Sequence, residues 1–171
     1  GIPSRLAKDV ETFLLTADWI AAQAPKRTVN SHKGTFGKAL VAAGCINYPG
    51  AAYLACAAAD RTGAGLVTGA VPGAIWPIVA GQLPEPTWLP SSTSSEANAL
   101  NGLDSHLTGE FATEIAEKVV GYSAFLLGCG LGQTSETLAF VKSILRDGDL
   151  PPTLVDADGL NSLAQIDGWP E

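Results

Sequence analysis

Largely apolar runs alternate with longer segments of mixed pattern along most of the chain. The run at 39–43 is apolar throughout and stops at Gly44, which is typical of a strand buried on both faces of a sheet. Runs of this kind predict strands at 39–43, 66–71, 87–89, 124–127 and 152–155. The segments between and after them predict helices at 49–62, 74–83, 108–121, 134–146 and 159–166.

Capping residues support several of these bounds. Pro49 suits the first turn of a helix, where its missing N–H costs no hydrogen bond. Thr108 is predicted to cap one helix, and Thr134 or Ser135 to cap the next. Strands that alternate with helices in this way predict an α/β fold with a largely parallel sheet and helices on both faces.

Glycine, asparagine and aspartate cluster in segments expected at one edge of this sheet. In open parallel sheets, ligands bind beyond the carboxyl ends of the strands. The segments expected at that edge are 44–52, 63–65, 128–133 and 156–161. Their composition predicts one composite site for a small molecule.

The glycine turn at 128–132 lies between a predicted buried strand and a predicted helix. Its glycines would let a phosphate approach the backbone at the amino terminus of that helix. The alternative is an ordinary tight turn that needs glycine only for positive φ. The pattern is neither a dinucleotide fingerprint nor a GxxxxGK phosphate loop, so both interpretations stay open.

Charged side chains near the expected site each allow a functional and a structural interpretation. Asp156 directly follows a predicted strand and is expected to point at the site, where it would hold a divalent cation or orient a hydroxyl. Asp158 would act in the same way or would only cap the next helix. Lys33 offers a point charge to a phosphate, and its alternative is a solvated loop lysine.

Composition narrows the classes of function. The net charge is −7, so no basic surface for nucleic acid is expected. The three cysteines include no Cys-x-x-Cys pair, which argues against a disulfide framework or a zinc site and favours the cytoplasm. No apolar span is long enough for a bilayer, so no membrane partner is expected. Two histidines without a nucleophile elbow give no support to triad chemistry.

Five short motifs follow one another in order along nearly the whole chain. They are SHKGTFG at 31–37, AG with NYPGAA at 43–52, RTGAGLVT at 61–68, GLGQ at 130–133 and DADGLN at 156–161. Together they resemble the landmarks of the NAD(P)H-hydrate dehydratases, a branch of the ribokinase-like kinases. Cys129 departs from that family, which usually has proline before Gly-Leu-Gly.

The resemblance implies a ribokinase-like three-layer fold of which only the N-terminal part is present. Residues 1–30 would be a linker after an epimerase domain, and 31–171 the N-terminal part of the dehydratase domain. The family's later motifs, an HPGE-like loop, a KGxxT strand and a GTGD turn, do not occur in the sequence. The catalytic residue is therefore expected beyond Glu171, and the chain alone is expected to be inactive and to self-associate.

The activity that the resemblance implies is repair of hydrated NADH or NADPH by a lyase. ADP or ATP with Mg²⁺ would phosphorylate the hydroxyl of the hydrate, and elimination of phosphate would restore the dinucleotide. The residues implied for hydrate binding are Asn47, Ala51, Ala52, Gly130, Gly132 and Gln133. The residues expected near the phosphoryl group or the metal are Lys33, Asp156 and Asn161.

The longer protein is expected to form a homo-oligomer. Two other functions stay open at this point. One is a kinase of a small alcohol on the same fold, against which the SHKGTFG motif argues. The other is a non-catalytic fragment that binds a nucleotide or serves in assembly.

Overall fold

The computed structural model describes residues 14–24, 26–92, 104–147 and 149–168, which fall into two units. The first unit, Gly1–Ser31, holds one described helix, α1 at Ala17–Gln23. The Thr16 hydroxyl caps α1 by accepting a hydrogen bond from the Trp19 N–H at 3.3 Å. Trp19 and Ile20 are about half exposed, so α1 buries little of its apolar surface.

The second unit, His32–Glu171, is built around a five-stranded sheet in which every strand pair is parallel. Its strands lie in the order β3-β2-β1-β4-β5. They are β1 Lys38–Ala42, β2 Leu66–Pro72, β3 Thr87–Ser91, β4 Ala124–Leu127 and β5 Thr153–Val155. The predicted α/β fold with a parallel sheet is confirmed.

The helices cover both faces of the sheet because the right-handed connections between strands step across the sheet in two opposite directions. From β1 the chain steps through β2 to β3, and from β4 it steps the other way to β5, so the two sets of helices lie on opposite faces. A short 3₁₀ helix at Lys33–Phe36 precedes β1. The α-helices are α2 Pro49–Thr62, α3 Trp76–Gln82, α4 Gly109–Lys118, α5 Ser135–Asp147 and α6 Asp158–Leu163.

The central strand β1 shows why the run at 39–43 is apolar throughout. Leu40 is fully buried in a cluster with Phe111 of α4 and Phe140 of α5. The next residue, Val41, is buried in the cluster on the other face, which includes Cys56 of α2. Successive side chains of a strand point to opposite faces, so a strand covered on both faces needs an unbroken apolar run.

Several predicted helix bounds need correction. The helix predicted at 108–121 ends at Lys118, and the one predicted at 159–166 is the shorter α6. The helix predicted at 74–83 begins at Trp76, because the Ile75 N–H first closes a turn onto the Pro72 carbonyl. Thr134 rather than Ser135 caps α5, since its hydroxyl accepts the Thr137 N–H at 3.2 Å.

The segment 63–65 was expected at the ligand edge of the sheet, and this expectation was wrong. Gly63 ends α2, and Gly65 directly precedes β2, so both lie at the amino edge of the sheet. The Gly65 N–H donates to the Gly37 carbonyl at 3.0 Å, just before β1 begins. A glycine is required at position 65 because a Cβ there would overlap the Lys33 carbonyl oxygen. Gly65 therefore joins the starts of two strands, and neither glycine approaches the ligand edge.

An apolar groove lies along α2 beside the β4–β5 edge of the sheet, and we call it the alanine groove. Its volume is about 580 Å³. Leu54 and Leu154 stand 65% and 60% exposed in it, although both are large apolar side chains. Its lining residues are Ala51, Leu54, Ala55, Ala58, Ala59, Thr62, Leu126, Cys129, Leu154 and Asp156.

We predict that the chain self-associates through the alanine groove, because two copies that meet there remove this apolar surface from water. In sedimentation velocity, the average mass should rise with protein concentration. Leu154→Glu should shift the chain toward monomer. The matched control is Val120→Glu, since Val120 is 72% exposed but does not line the groove. A wild-type chain that stays monomeric at every concentration contradicts the prediction.

Close backbone packing at the amino edge of the sheet predicts that a side chain at position 65 destabilises the protein. Gly65→Ala should lower the free energy of unfolding by about 3 kcal/mol or more, because the new methyl group has no room beside the Lys33 carbonyl. Gly81→Ala is the control, since apart from its chain neighbours and the backbone of α3 nothing lies within 4 Å of its Cβ position. The control should keep or raise stability by up to about 1 kcal/mol. Equal midpoints for both variants in urea unfolding would refute this account.

Candidate functional site

The candidate site lies where the strand order reverses direction. Strands β1 and β4 are neighbours, yet the chain leaves them toward opposite sides of the sheet. Such a reversal opens a crevice at the carboxyl ends of the two strands. Hydrogen bonds join the two loops at its base, from the Gly44 N–H to the Cys129 carbonyl at 2.8 Å and from the Gly128 N–H to the Ala42 carbonyl at 3.2 Å.

The glycine turn packs directly against the start of α2. Gly130 has φ +67°, and a Cβ there would lie 2.5 Å from the Ala51 Cβ and 3.0 Å from the Tyr48 Cβ. Only glycine therefore allows this approach, and it also depends on the small side chain of Ala51. The predicted meeting of the segments 44–52 and 128–133 is present in the structure.

Around this contact lies an open cavity of about 270 Å³. It is lined by two of the glycines expected at the site, by Gln133 and by Asp158, one of the two carboxylates that the sequence placed near the site. Tyr48 also lines it, although the sequence did not single out this residue for binding. Tyr48 is 55% exposed, so its ring is accessible to a ligand. The lining residues are Tyr48, Gly130, Gly132, Gln133 and Asp158.

Asp158 holds the polar side of this cavity together. One carboxylate oxygen, Oδ2, accepts the Gly132 N–H at 2.9 Å. The other, Oδ1, accepts the side-chain amides of Gln133 and Asn161, each at 3.2 Å. The alternative that Asp158 only caps a helix was wrong, because Ala157 occupies the cap position of α6 and this cap has no side-chain hydrogen bond.

The phosphate interpretation of the glycine turn loses support from these contacts. The Gly132 N–H is donated to Asp158, and the Thr137 N–H in the first turn of α5 is donated to Thr134. The Glu136 carboxylate accepts from its own backbone N–H and from neighbouring hydroxyls, which lowers the pKa of this exposed group. The protein's own acceptors thus take amides that a bound phosphate would need.

Asp156 does not line the cavity beside Gln133. It lines the alanine groove, where the Cys129 Sγ donates to its Oδ2 at 3.8 Å. Two carboxylates separated by one residue therefore face different surfaces. Burial and the neighbouring Asp156 carboxylate both raise the pKa of the Cys129 thiol. Cys129 thus adds a thiol–carboxylate contact to the glycine turn.

Three other residues predicted to belong to the site differ in whether their position lets them contact a ligand there. Asn47 is exposed in the turn between β1 and α2, where a ligand can reach it. Ala52 is fully buried, and its Cβ fills the space beside Gly44, so its side chain belongs to the core. Lys33 lies before β1 at the amino edge, about 16 Å of strand away from the glycine turn. Lys33 therefore does not share a site with Asn161, contrary to the expectation.

Sequence reasoning left His106 out of the candidate site. A Cβ at Gly132 would lie 3.2 Å from the His106 Cδ2 and Nε2 atoms, so the imidazole backs the glycine turn. Its Nδ1 lies 3.2 Å from the Ser105 hydroxyl. A single histidine far from the other motifs offers no sequence signal for this contact.

The described residues lack both a metal-binding cluster and a helix that could cross a membrane. Those residues contain no cluster of three or more His, Cys, Asp or Glu side chains that would hold a metal ion. No helix in the described ranges is long and apolar enough to cross a membrane.

Comparison with known proteins gives a consistent family assignment. A family model described as NAD(P)H-hydrate dehydratase matches residues 39–170. A bifunctional NAD(P)H-hydrate repair enzyme of Moorella thermoacetica is 35% identical over 167 residues, which are 96% of this chain and 30% of that protein. The ADP-dependent (S)-NAD(P)H-hydrate dehydratase of Bacillus subtilis is 34% identical over 146 residues, which are 85% of this chain and 46% of that protein.

Solved structures agree with this assignment. The ADP/ATP-dependent NAD(P)H-hydrate dehydratase of Bacillus subtilis, co-crystallised with ATP/Mg²⁺, matches with a TM-score of 0.62 and 31% identity. The match covers 85% of this chain and 46% of that protein. The chain thus spans between about a third and a half of the length of these relatives.

The contact between Cys129 and Asp156 generates a testable prediction. Because burial and the Asp156 carboxylate both raise the thiol pKa, the thiolate fraction at pH 8 should be small. Asp156→Asn removes the charge and should speed alkylation of Cys129 several-fold at pH 8, with the two rates converging at higher pH. Mass spectrometry of iodoacetamide-treated protein measures each cysteine separately.

Cys56 is the internal control for this experiment. It is fully buried, and its thiol pKa is raised to about 12, mainly by burial and further by the nearby Asp60 charge. Its alkylation should be slow in both proteins. An unchanged rate at Cys129 in Asp156→Asn would show that the carboxylate does not act on the thiol.

Proposed function

Since this chain belongs to the NAD(P)H-hydrate dehydratase family, we propose that it forms the hydrate-binding half of an ADP- or ATP-dependent enzyme that restores NADH or NADPH from their hydrates. The observation that carries the proposal is the packing of the glycine turn against the start of α2 at the reversal of the strand order. This contact forms a shaped crevice from residues that belong to the matched range.

In the proposed reaction the nucleotide transfers its terminal phosphoryl group to the hydroxyl of the hydrated ring. The ring then loses phosphate and a neighbouring proton, and a carbon–carbon double bond forms. The net change is loss of water from the hydrate with hydrolysis of one phosphoanhydride bond. Phosphoryl transfer depends mainly on positioning and charge stabilisation, so a complete cleft is required.

The residues of this chain would bind and orient the hydrate. Gly130 and Ala51 provide a wall without side chains that project from it, along which a flat ring or sugar can lie. The Gln133 amide and the Tyr48 ring offer a hydrogen-bonding group and an aromatic face. Asn47 is an accessible polar group beside the same loop. These roles are proposals, and the catalytic base is not among them.

Groups outside the described residues would bind the nucleotide and the metal. Relatives are named as ADP-dependent or ATP-dependent, and one was crystallised with ATP/Mg²⁺. We propose the same donors here, with Mg²⁺ held mainly by the nucleotide phosphates, because Mg²⁺ is often bound through substrate phosphates and few carboxylates. We also propose a cytoplasmic location, since all three cysteines are free, and a homo-oligomeric longer protein.

A chimera tests the proposed function. Residues 32–168 would replace the matching segment of the Bacillus subtilis relative, which is 34% identical over 146 residues. The chimera should regenerate NADH from its hydrate with ADP or ATP and Mg²⁺, whereas this chain alone should show no turnover. Gly130→Leu in the chimera should lower kcat/KM for the hydrate at least tenfold, because the leucine collides with Ala51 and Tyr48.

Two controls separate loss of function from loss of fold. Gly81→Ala should leave activity unchanged, since its Cβ position is open. Thermal unfolding of each variant checks that the protein stays cooperative. A folded chimera that binds ATP but does not act on the hydrate would overturn the proposal. Turnover by this chain alone would show that the described residues already carry the chemistry.

A further inference from the structure

Asp158 contacts three donors at once, and all three belong to segments of the candidate site. Its Oδ2 accepts the backbone N–H of Gly132 at 2.9 Å. Its Oδ1 accepts the side-chain amides of Gln133 and Asn161. Hydrogen bonds to an ionised carboxylate are stronger than those between neutral groups. One side chain therefore links the glycine turn to the first turn of α6.

The backbone around Asp158 supports this link independently. Ala157 has φ +48°, and no other non-glycine residue among those described has a positive φ. Such a conformation is costly and persists only where the surrounding structure holds it. At this corner the strained residue directly precedes Asp158, whose side chain turns toward Gly132 instead of capping its own helix.

The corner and the glycine turn also touch through their backbones. A Cβ at Gly159 would lie 2.9 Å from the Leu127 carbonyl oxygen and 3.0 Å from the Gly128 Cα. A Cβ at Gly128 would overlap the Asp156 carbonyl oxygen. The two segments therefore approach at a distance that only glycine allows, and Asp158 spans the contact.

We propose that Asp158 is a positioning residue, which holds the glycine turn in the conformation that binds the hydrate. Gly130 and Gly132 both have positive φ, and glycine backbones have many conformations open to them when nothing restrains them. The carboxylate restrains the turn before the ligand arrives, so binding costs less ordering. That the ligand is the hydrate rests on the proposed function. That Asp158 restrains the glycine turn does not.

A competing account would assign the opposite effect to the same contact. Asp158 would then occupy an N–H that an anionic ligand needs, and its removal would improve anion binding. The two accounts differ in sign, so substitution of Asp158 distinguishes them.

The first experiment measures the turn in the intact chain without any enzymatic assay. Backbone amide exchange by NMR should be at least tenfold faster at Gly132 in Asp158→Ala than in the wild type. Asp158→Asn should lie between them, because its side-chain oxygen still accepts one hydrogen bond. Asp167→Asn is the matched control, since Asp167 is exposed in the segment after α6 and does not line the cavity.

The second experiment measures binding and turnover in the chimera. Asp158→Ala should raise KM for the hydrate about tenfold, with a smaller change in kcat and no change in KM for ADP. Asp158→Asn should recover part of the loss. If the unsubstituted chimera is inactive, the proposed function fails while the exchange measurement still decides the positioning role.

Two results would overturn the inference. Unchanged amide exchange at Gly132 in Asp158→Ala would show that the carboxylate does not restrain the turn. Tighter binding of inorganic phosphate to Asp158→Ala, measured by titration calorimetry, would show that Asp158 competes with an anion and does not position the turn.

Discussion

The adjacency of β1 and β4 is the constraint on which the rest of the structure depends. The chain leaves these neighbouring parallel strands toward opposite sides of the sheet, which opens a crevice at their carboxyl ends. The two loops that leave them, 43–48 and 128–134, must therefore face each other. Because right-handed connections also assign each helix to a face, the same reversal decides that α2 and α3 pack on one face of the sheet and α4 and α5 on the other.

Within the crevice, small residues allow close backbone contact and one carboxylate restrains the glycine turn. Gly130 and Ala51 allow two backbones to meet without side chains between them. Such a contact has little to hold it in place, since glycine-rich turns lose much conformational freedom on folding. Asp158 supplies that restraint through the Gly132 N–H. The motif at 156–161 thus contributes to the site largely through hydrogen bonds to a neighbouring loop.

The motif at 31–37 has a structural role at the opposite edge of the sheet. The His32 Nδ1 accepts the Gly34 N–H at 3.1 Å and caps the short 3₁₀ helix before β1. The backbone of this segment then packs against Gly65 at the start of β2. The described contacts of this motif align two strands and form no part of the crevice.

The sequence by itself determined the elements, because runs such as 39–43 and caps such as Thr108 act over a few neighbouring residues. It also predicted that the glycine turn meets the start of α2. Only the tertiary structure decided that Ala52 is fully buried, and that Asp156 and Asp158 face different surfaces. Strand order and the direction of a side chain after a strand end depend on contacts between residues far apart in sequence, which no local pattern records.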